Sequence, residues 1–152
     1  KSFPGTPYLT ALPDQIERFK AYRGRVGVSW RGAQGVIPEL MRIPGALSLQ
    51  YDVSWDEDIE APESLDLRND IEGILGLLAN LGSVVSVSTS VAHFAAALGV
   101  KTHIVIADPT TGLRGNLFPF KWVCQATLGR TPWYGSARVY NSLRDYWARR
   151  EP

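Results

Sequence analysis

Along most of this chain, short apolar runs rich in β-branched residues alternate with longer stretches of helical spacing. Four runs predict strands: Arg25-Val26-Gly27-Val28-Ser29-Trp30, Ala46-Leu47-Ser48-Leu49-Gln50, Val84-Val85-Ser86-Val87-Ser88 and His103-Ile104-Val105-Ile106-Ala107. Residues 14–22 have helical spacing, with Ile16 and Phe19 on one side, Arg18 and Lys20 on another, and Gly24 as a stop. Residues 36–43 predict a short helix that tolerates Pro38 in its first turn. The acidic, proline-containing stretch 55–64 reads as a surface loop. Asp66 or Asn69 can cap a helix whose apolar stripe is Ile71, Ile74, Leu75 and Leu78. A helix of small residues is expected over 91–98, its alanines packed closely on a sheet. A basic helix over 141–150 should bury Leu143, Tyr146 and Trp147. Strands that alternate with helices predict an α/β fold: an open parallel sheet with right-handed crossovers and helices on both faces.

Composition narrows the picture. The 152 residues suit a single domain, and 45% hydrophobic against 20% charged residues is ordinary for a globular chain. A net charge of +1 supplies no global field for nucleic acid or an anionic membrane, so no nucleic-acid partner is expected. Cys124 is the single cysteine, which excludes an internal disulfide and fits a reducing, cytoplasmic compartment. With two histidines besides, a four-ligand structural zinc site cannot be built, and no metal is expected. No apolar stretch is long enough to span a bilayer. The chain starts at Lys1 without an initiator methionine, so it is expected to be a piece of a longer protein.

Ligands of open α/β sheets bind beyond the carboxyl ends of the strands. The segments found there are Arg31-Gly32-Ala33-Gln34-Gly35, Thr89-Ser90 and Asp108-Pro109-Thr110-Thr111-Gly112, all polar or glycine-rich. Ser88, Thr89 and Ser90 precede a helix whose free N–H groups and dipole favour a phosphate, although helix capping alone would explain the same residue types. His93 lies about 200° of helical rotation from Val91, towards the ligand edge. Arg31-Gly32 can bind phosphate or form an ordinary strand-end turn. Lys121-Trp122 and Trp133-Tyr134 offer a charge and stacking faces, or plain core packing. Neither a G-x-G-x-x-G nor a Walker A pattern is present, and no G-x-S-x-G elbow supplies a nucleophile.

Residues 84–99, Val-Val-Ser-Val-Ser-Thr-Ser-Val-Ala-His-Phe-Ala-Ala-Ala-Leu-Gly, resemble the pattern V-I-S-V-D-T-A-V-A-H-L-A-G-A-L-G. Residues 26–32 are similar to V-G-L-V-W-R-G, Ile43-Pro44-Gly45 with Ser48-Leu49-Gln50 to L-P-G and S-L-Q, and residues 131–139 to S-P-W-Y-P-S-A-R-L. Over residues 7–141 the chain thus resembles bacterial tetratricopeptide-repeat proteins with a glycosyltransferase-like C-terminal region, relatives of heptosyltransferases and of O-linked N-acetylglucosamine transferases. The resemblance implies a Rossmann-like domain, the half of a GT-B fold that holds a nucleotide-sugar donor without a metal or other cofactor. By position, Thr89 and Ser90 would meet the pyrophosphate, His93 the ribose or a phosphate, and Arg31-Gly32 would border the cleft, with Ser88 and Lys121 beside them. The expected partners are a nucleotide sugar, a missing N-terminal half and tetratricopeptide repeats.

Three departures bear on catalysis rather than on the fold. Ser88 stands where such proteins have aspartate, the loop after Gly32 is clipped to Ala33-Gln34-Gly35, and Pro119-Phe120-Lys121-Trp122 replaces D-W-R-W. No catalytic base is identifiable. The leading expectation is a donor-binding domain that is inactive alone, and the alternative is a degenerate binding or scaffold module.

Overall fold

The computed structural model describes residues 5–33, 35–53, 57–107 and 129–150. Five strands form one parallel sheet: β1 (Val26–Ser29), β4 (Ala46–Ser48), β5 (Ser83–Ser86), β6 (Thr102–Val105) and β7 (Ala137–Tyr140), in the order β4-β1-β5-β6-β7. Val26 sits between Ala46 and Ser83 in register, and Thr102 between Val84 and Ala137. A second, two-stranded sheet is the antiparallel hairpin of β2 (Arg31–Gly32) and β3 (Gly35–Val36), which continues directly from β1.

Alternation along the strands splits the core between the two faces. Leu47, Val84, Ile104 and Val139 meet helices α2 (Ile71–Asn80) and α3 (Ser90–Ala97) on one face, with α1 (Pro13–Arg18) packed against α2. Val28, Val85, Val105 and Tyr140 meet a 3₁₀ turn at Pro38–Arg42 and helix α4 (Leu143–Arg149) on the other. The molecule is an α/β, Rossmann-like open sheet, as the alternating pattern predicts. In α3, Ala92, Ala95, Ala96 and Ala97 are all buried, so the close approach expected of a small-residue helix is present.

Several expectations are corrected. Residues 36–43 do not form an α-helix: Val36 pairs with Arg31 in the hairpin, and Pro44-Gly45 leaves room only for the 3₁₀ turn. The first helix is shorter than 14–22 and ends in a separate 3₁₀ turn, Lys20–Tyr22. Neither Asp66 nor Asn69 caps α2; the Asp70 carboxylate accepts the Gly73 N–H at 2.8 Å, while Asp66 accepts the amides of Arg68 and Asn69 in a turn upstream. Within the expected surface loop, Glu60 bridges Leu47 and its carbonyl accepts the Ser48 N–H at 2.7 Å, which covers the β4 edge of the sheet. Tyr146 is buried, but Trp147 is 41% exposed beneath the Arg150 guanidinium. Strand β7 was not anticipated. Asp108, Lys121, Trp122 and Cys124 lie outside the described residues, as does Gln34.

Candidate functional site

The chain runs from β1 outward to β4 and returns past β1 to β5, so strand order reverses between β1 and β5. Loops leaving such a pair diverge to opposite faces and open a crevice at the carboxyl edge. A cleft of about 1010 Å³ lies at this point. It brings together Arg31, Gly32, Ser88, Thr89, Ser90 and His93. Arg31 and Thr89 therefore share one end of the sheet.

Gly32 holds the two loops together. A Cβ there would stand 3.0 Å from the Ser88 carbonyl oxygen and 3.3 Å from the Thr89 methyl, so a larger residue would push the β5–α3 loop away from the hairpin. Gly35 has φ of +143°, and a Cβ there would meet that of Ala107, just beyond β6, at 2.6 Å. The hairpin is thus pressed against the ends of β5 and β6.

Thr89 is the N-cap of α3, with extended backbone, but its side chain makes no capping bond. Its hydroxyl instead lies 2.9 Å from that of Ser86, which donates to the Val87 carbonyl at 2.6 Å. The capping explanation of these hydroxyls accordingly does not hold for Thr89. The first turn of α3 has no side-chain cap from Thr89, and its residues Ser90 and Val91 line the cleft.

Arg31 lines the cleft and is engaged there by two acidic residues. Its guanidinium donates to Glu57 at 2.8 Å, to the Asp52 carbonyl at 2.8 Å and to the Asp52 carboxylate at 3.3 Å. Hydrogen bonding to Glu57 raises its pKa further, against the opposing effect of burial. Burial pushes the Asp52 carboxyl up, but hydrogen bonds with Gln50 and Arg31 outweigh it and hold the group below its ordinary range. The Trp30 indole N–H also donates to Glu57, at 3.2 Å. The buried Gln50 completes the clamp: its Oε1 accepts from the Ser29 hydroxyl at 3.0 Å and the Arg31 amide at 3.2 Å, and its Nε2 donates to the Arg31 carbonyl at 3.0 Å. Arg31 fixes the hairpin and the cleft wall.

His93 reaches the cleft from the first turn of α3 and pairs through Nδ1 with the Tyr134 hydroxyl at 2.9 Å. Tyr134 in turn accepts from the Tyr8 hydroxyl at 3.3 Å and stacks on that ring. Burial lowers the His93 pKa and favours the neutral imidazole. Burial first, and then the bond from Tyr8, raises the Tyr134 pKa, so this phenol stays protonated.

Sequence reasoning missed Gln50, Asp52 and Glu57 because their partners lie 19 to 26 residues away, and it offered Tyr134 as a stacking face but not as the partner of His93, 41 residues away. The missed Tyr51, 59% exposed, lines the outer wall beneath the Arg68 guanidinium; the position just after a predicted strand was the available signal. Among the described residues no group of three His, Cys, Asp or Glu could hold a metal ion, and no helix is long and apolar enough to cross a membrane. Comparison with protein-family models, curated proteins and solved structures finds no match.

Proposed function

We propose that the cleft holds the diphosphate of a nucleotide sugar, and that this chain is the donor-binding half of a GT-B glycosyltransferase. One observation carries the reading. At the strand-order reversal, the first turn of α3 lacks a side-chain cap from Thr89 and opens into a cleft of about 1010 Å³, a size that suits a nucleotide sugar. Main-chain N–H groups at this turn would meet the phosphate charge, with the hydroxyls of Ser88, Thr89 and Ser90 beside them. His93 would address the ribose or a phosphate. Arg31 positions the hairpin rather than the ligand, because two carboxylates already engage it.

Such a site needs no cofactor beyond the donor itself. The acceptor and any catalytic base would come from an N-terminal half, in a cytoplasmic protein that also carries tetratricopeptide repeats. Since orientation of donor against acceptor supplies much of the rate, the chain alone should transfer no sugar.

The engagement of Arg31 by Asp52 and Glu57 favours a second reading, a degenerate module that scaffolds without binding a donor. Calorimetric titration with UDP, ADP and GDP separates the two. Donor binding predicts saturable heat with at least one diphosphate, lost in the Thr89→Ala, Ser90→Ala double variant and kept in Glu39→Gln on the exposed 3₁₀ turn. Absence of heat for all three at millimolar ligand would replace the donor reading with the scaffold.

A further inference from the structure

Charge is spread unevenly along this chain. The whole carries +1, yet residues 129–150 contain Arg130, Arg138, Arg144, Arg149 and Arg150 against the single carboxylate of Asp145. The fold gathers part of this excess around one pocket, of about 380 Å³. Lys101 reaches it from just before β6, Arg138 from β7 and Arg149 from the last turn of α4. Gly99, within the α3–β6 connection, and Ser136, just before β7, also line it, which sets it at the amino edge of the sheet. The cleft described above lies at the opposite, carboxyl edge.

The cations here are incompletely neutralised. Arg149 pairs with Asp145 on its own helix. Arg138 donates to the neutral carbonyls of Gly135 and Ala137, at 3.1 and 3.0 Å. Among the described residues neither Arg138 nor Lys101 has a carboxylate partner. Beneath them, His103 is 5% exposed and held through Nδ1 to the Tyr140 hydroxyl at 2.9 Å, so the floor is a fixed aromatic pair. Lys101 and Arg138 thus bring two cations without carboxylate partners among the described residues to one pocket, beside the Asp145-paired Arg149, and an anion bound there would offset their charge.

We propose that this pocket is a second binding site, specific for a small phosphate monoester. A doubly charged tetrahedral group suits cations that arrive from three directions, and guanidinium forks match phosphate oxygens in pairs. The volume exceeds that of a bare phosphate and leaves room for a small polar body such as a hexose. This site does not depend on the nucleotide-sugar reading of the cleft.

Amide NMR at constant ionic strength tests the proposal, with inorganic phosphate, a hexose 1-phosphate and sulfate as separate titrants. Saturable shifts should centre on Lys101, Ser136 and Arg138, with the hexose phosphate tightest and sulfate weakest. The Lys101→Ala, Arg138→Gln double variant should bind at least about tenfold more weakly, from the loss of charged hydrogen bonds. Lys101→Glu, a reversal on an exposed side chain, keeps the test open if Arg138→Gln does not fold. Thr89→Ala with Ser90→Ala should leave these shifts intact. Shifts that stay linear, that survive both Lys101 variants or that are equal for sulfate and the phosphates would overturn the assignment.

Discussion

At the scale of single residues, the Arg31 guanidinium is held by Glu57 and Asp52, and the His93 imidazole by the Tyr134 hydroxyl. Arg31 looked like a phosphate donor because it follows a strand and precedes a glycine. What decides its role is Asp52 and Glu57, which a turn of chain brings back from 21 and 26 residues away. His93 lines the cleft together with Val91 and Phe94, and Tyr134 and Tyr8, which hold it, are 41 residues away and near the start of the chain. His93 also gives a pH prediction. Burial lowers its pKa below 6.5, so as pH falls through that value the unfolded chain takes up a proton that the folded chain resists. The stability due to neutral His93 is therefore complete above about pH 6.5 and lost below it. Urea midpoints at about pH 7.5 and about pH 5.5 should show a smaller acid loss in His93→Gln than in the parent chain. An equal loss in both would remove His93 as the source.

At the scale of elements, β-branched runs marked β1, β5 and β6, the apolar run at 46–50 marked β4 without any, and β7 escaped the pattern. Strand β7 is Ala-Arg-Val-Tyr, with one β-branched residue and an arginine in its middle, so it carries little strand propensity even though Ala137, Val139 and Tyr140 are buried. Residues 36–43 looked helical because their apolar spacing is right, but Val36 is drawn into the hairpin and prolines bound what remains. Helix pairs leave a clearer trace in their small residues. A Cβ at Gly76 of α2 would stand 2.5 Å from the Gln15 Cβ and 2.6 Å from its carbonyl carbon and oxygen, so backbone of α1 blocks it. Gly76→Ala should gain about 1 kcal/mol of helix propensity and, because the blocking atoms are backbone, lose about 2–3 kcal/mol to overpacking, for a net loss. Gly27→Ala meets only the side-chain ends of Leu49 and Leu81, which can turn aside, and should cost less. Thermal unfolding of the two variants checks the order. A neutral or stabilising Gly76→Ala would mean that α1 and α2 do not approach this closely.

At the scale of the molecule, the alternation of strands and helices predicted a parallel α/β sheet, but not which edge each strand would take. That choice matters most for function, because β4 going outward and β5 returning place the reversal between β1 and β5. It turns two polar segments, Arg31-Gly32 and Ser88 to Ser90, into the walls of one cleft. Lys101 and Arg138, at the starts of β6 and β7, lie at the opposite edge, so the two candidate sites can be read separately in one experiment. Amide NMR of the labelled chain, titrated with UDP, ADP and GDP in turn, tests the cleft most directly. The donor-binding account predicts saturable shifts for at least one of them at the amides of Ser90, Val91, Ala92 and Gly32, with Lys101 and Arg138 shifting less. Shifts confined to Lys101, Ser136 and Arg138, or none at all, would contradict it.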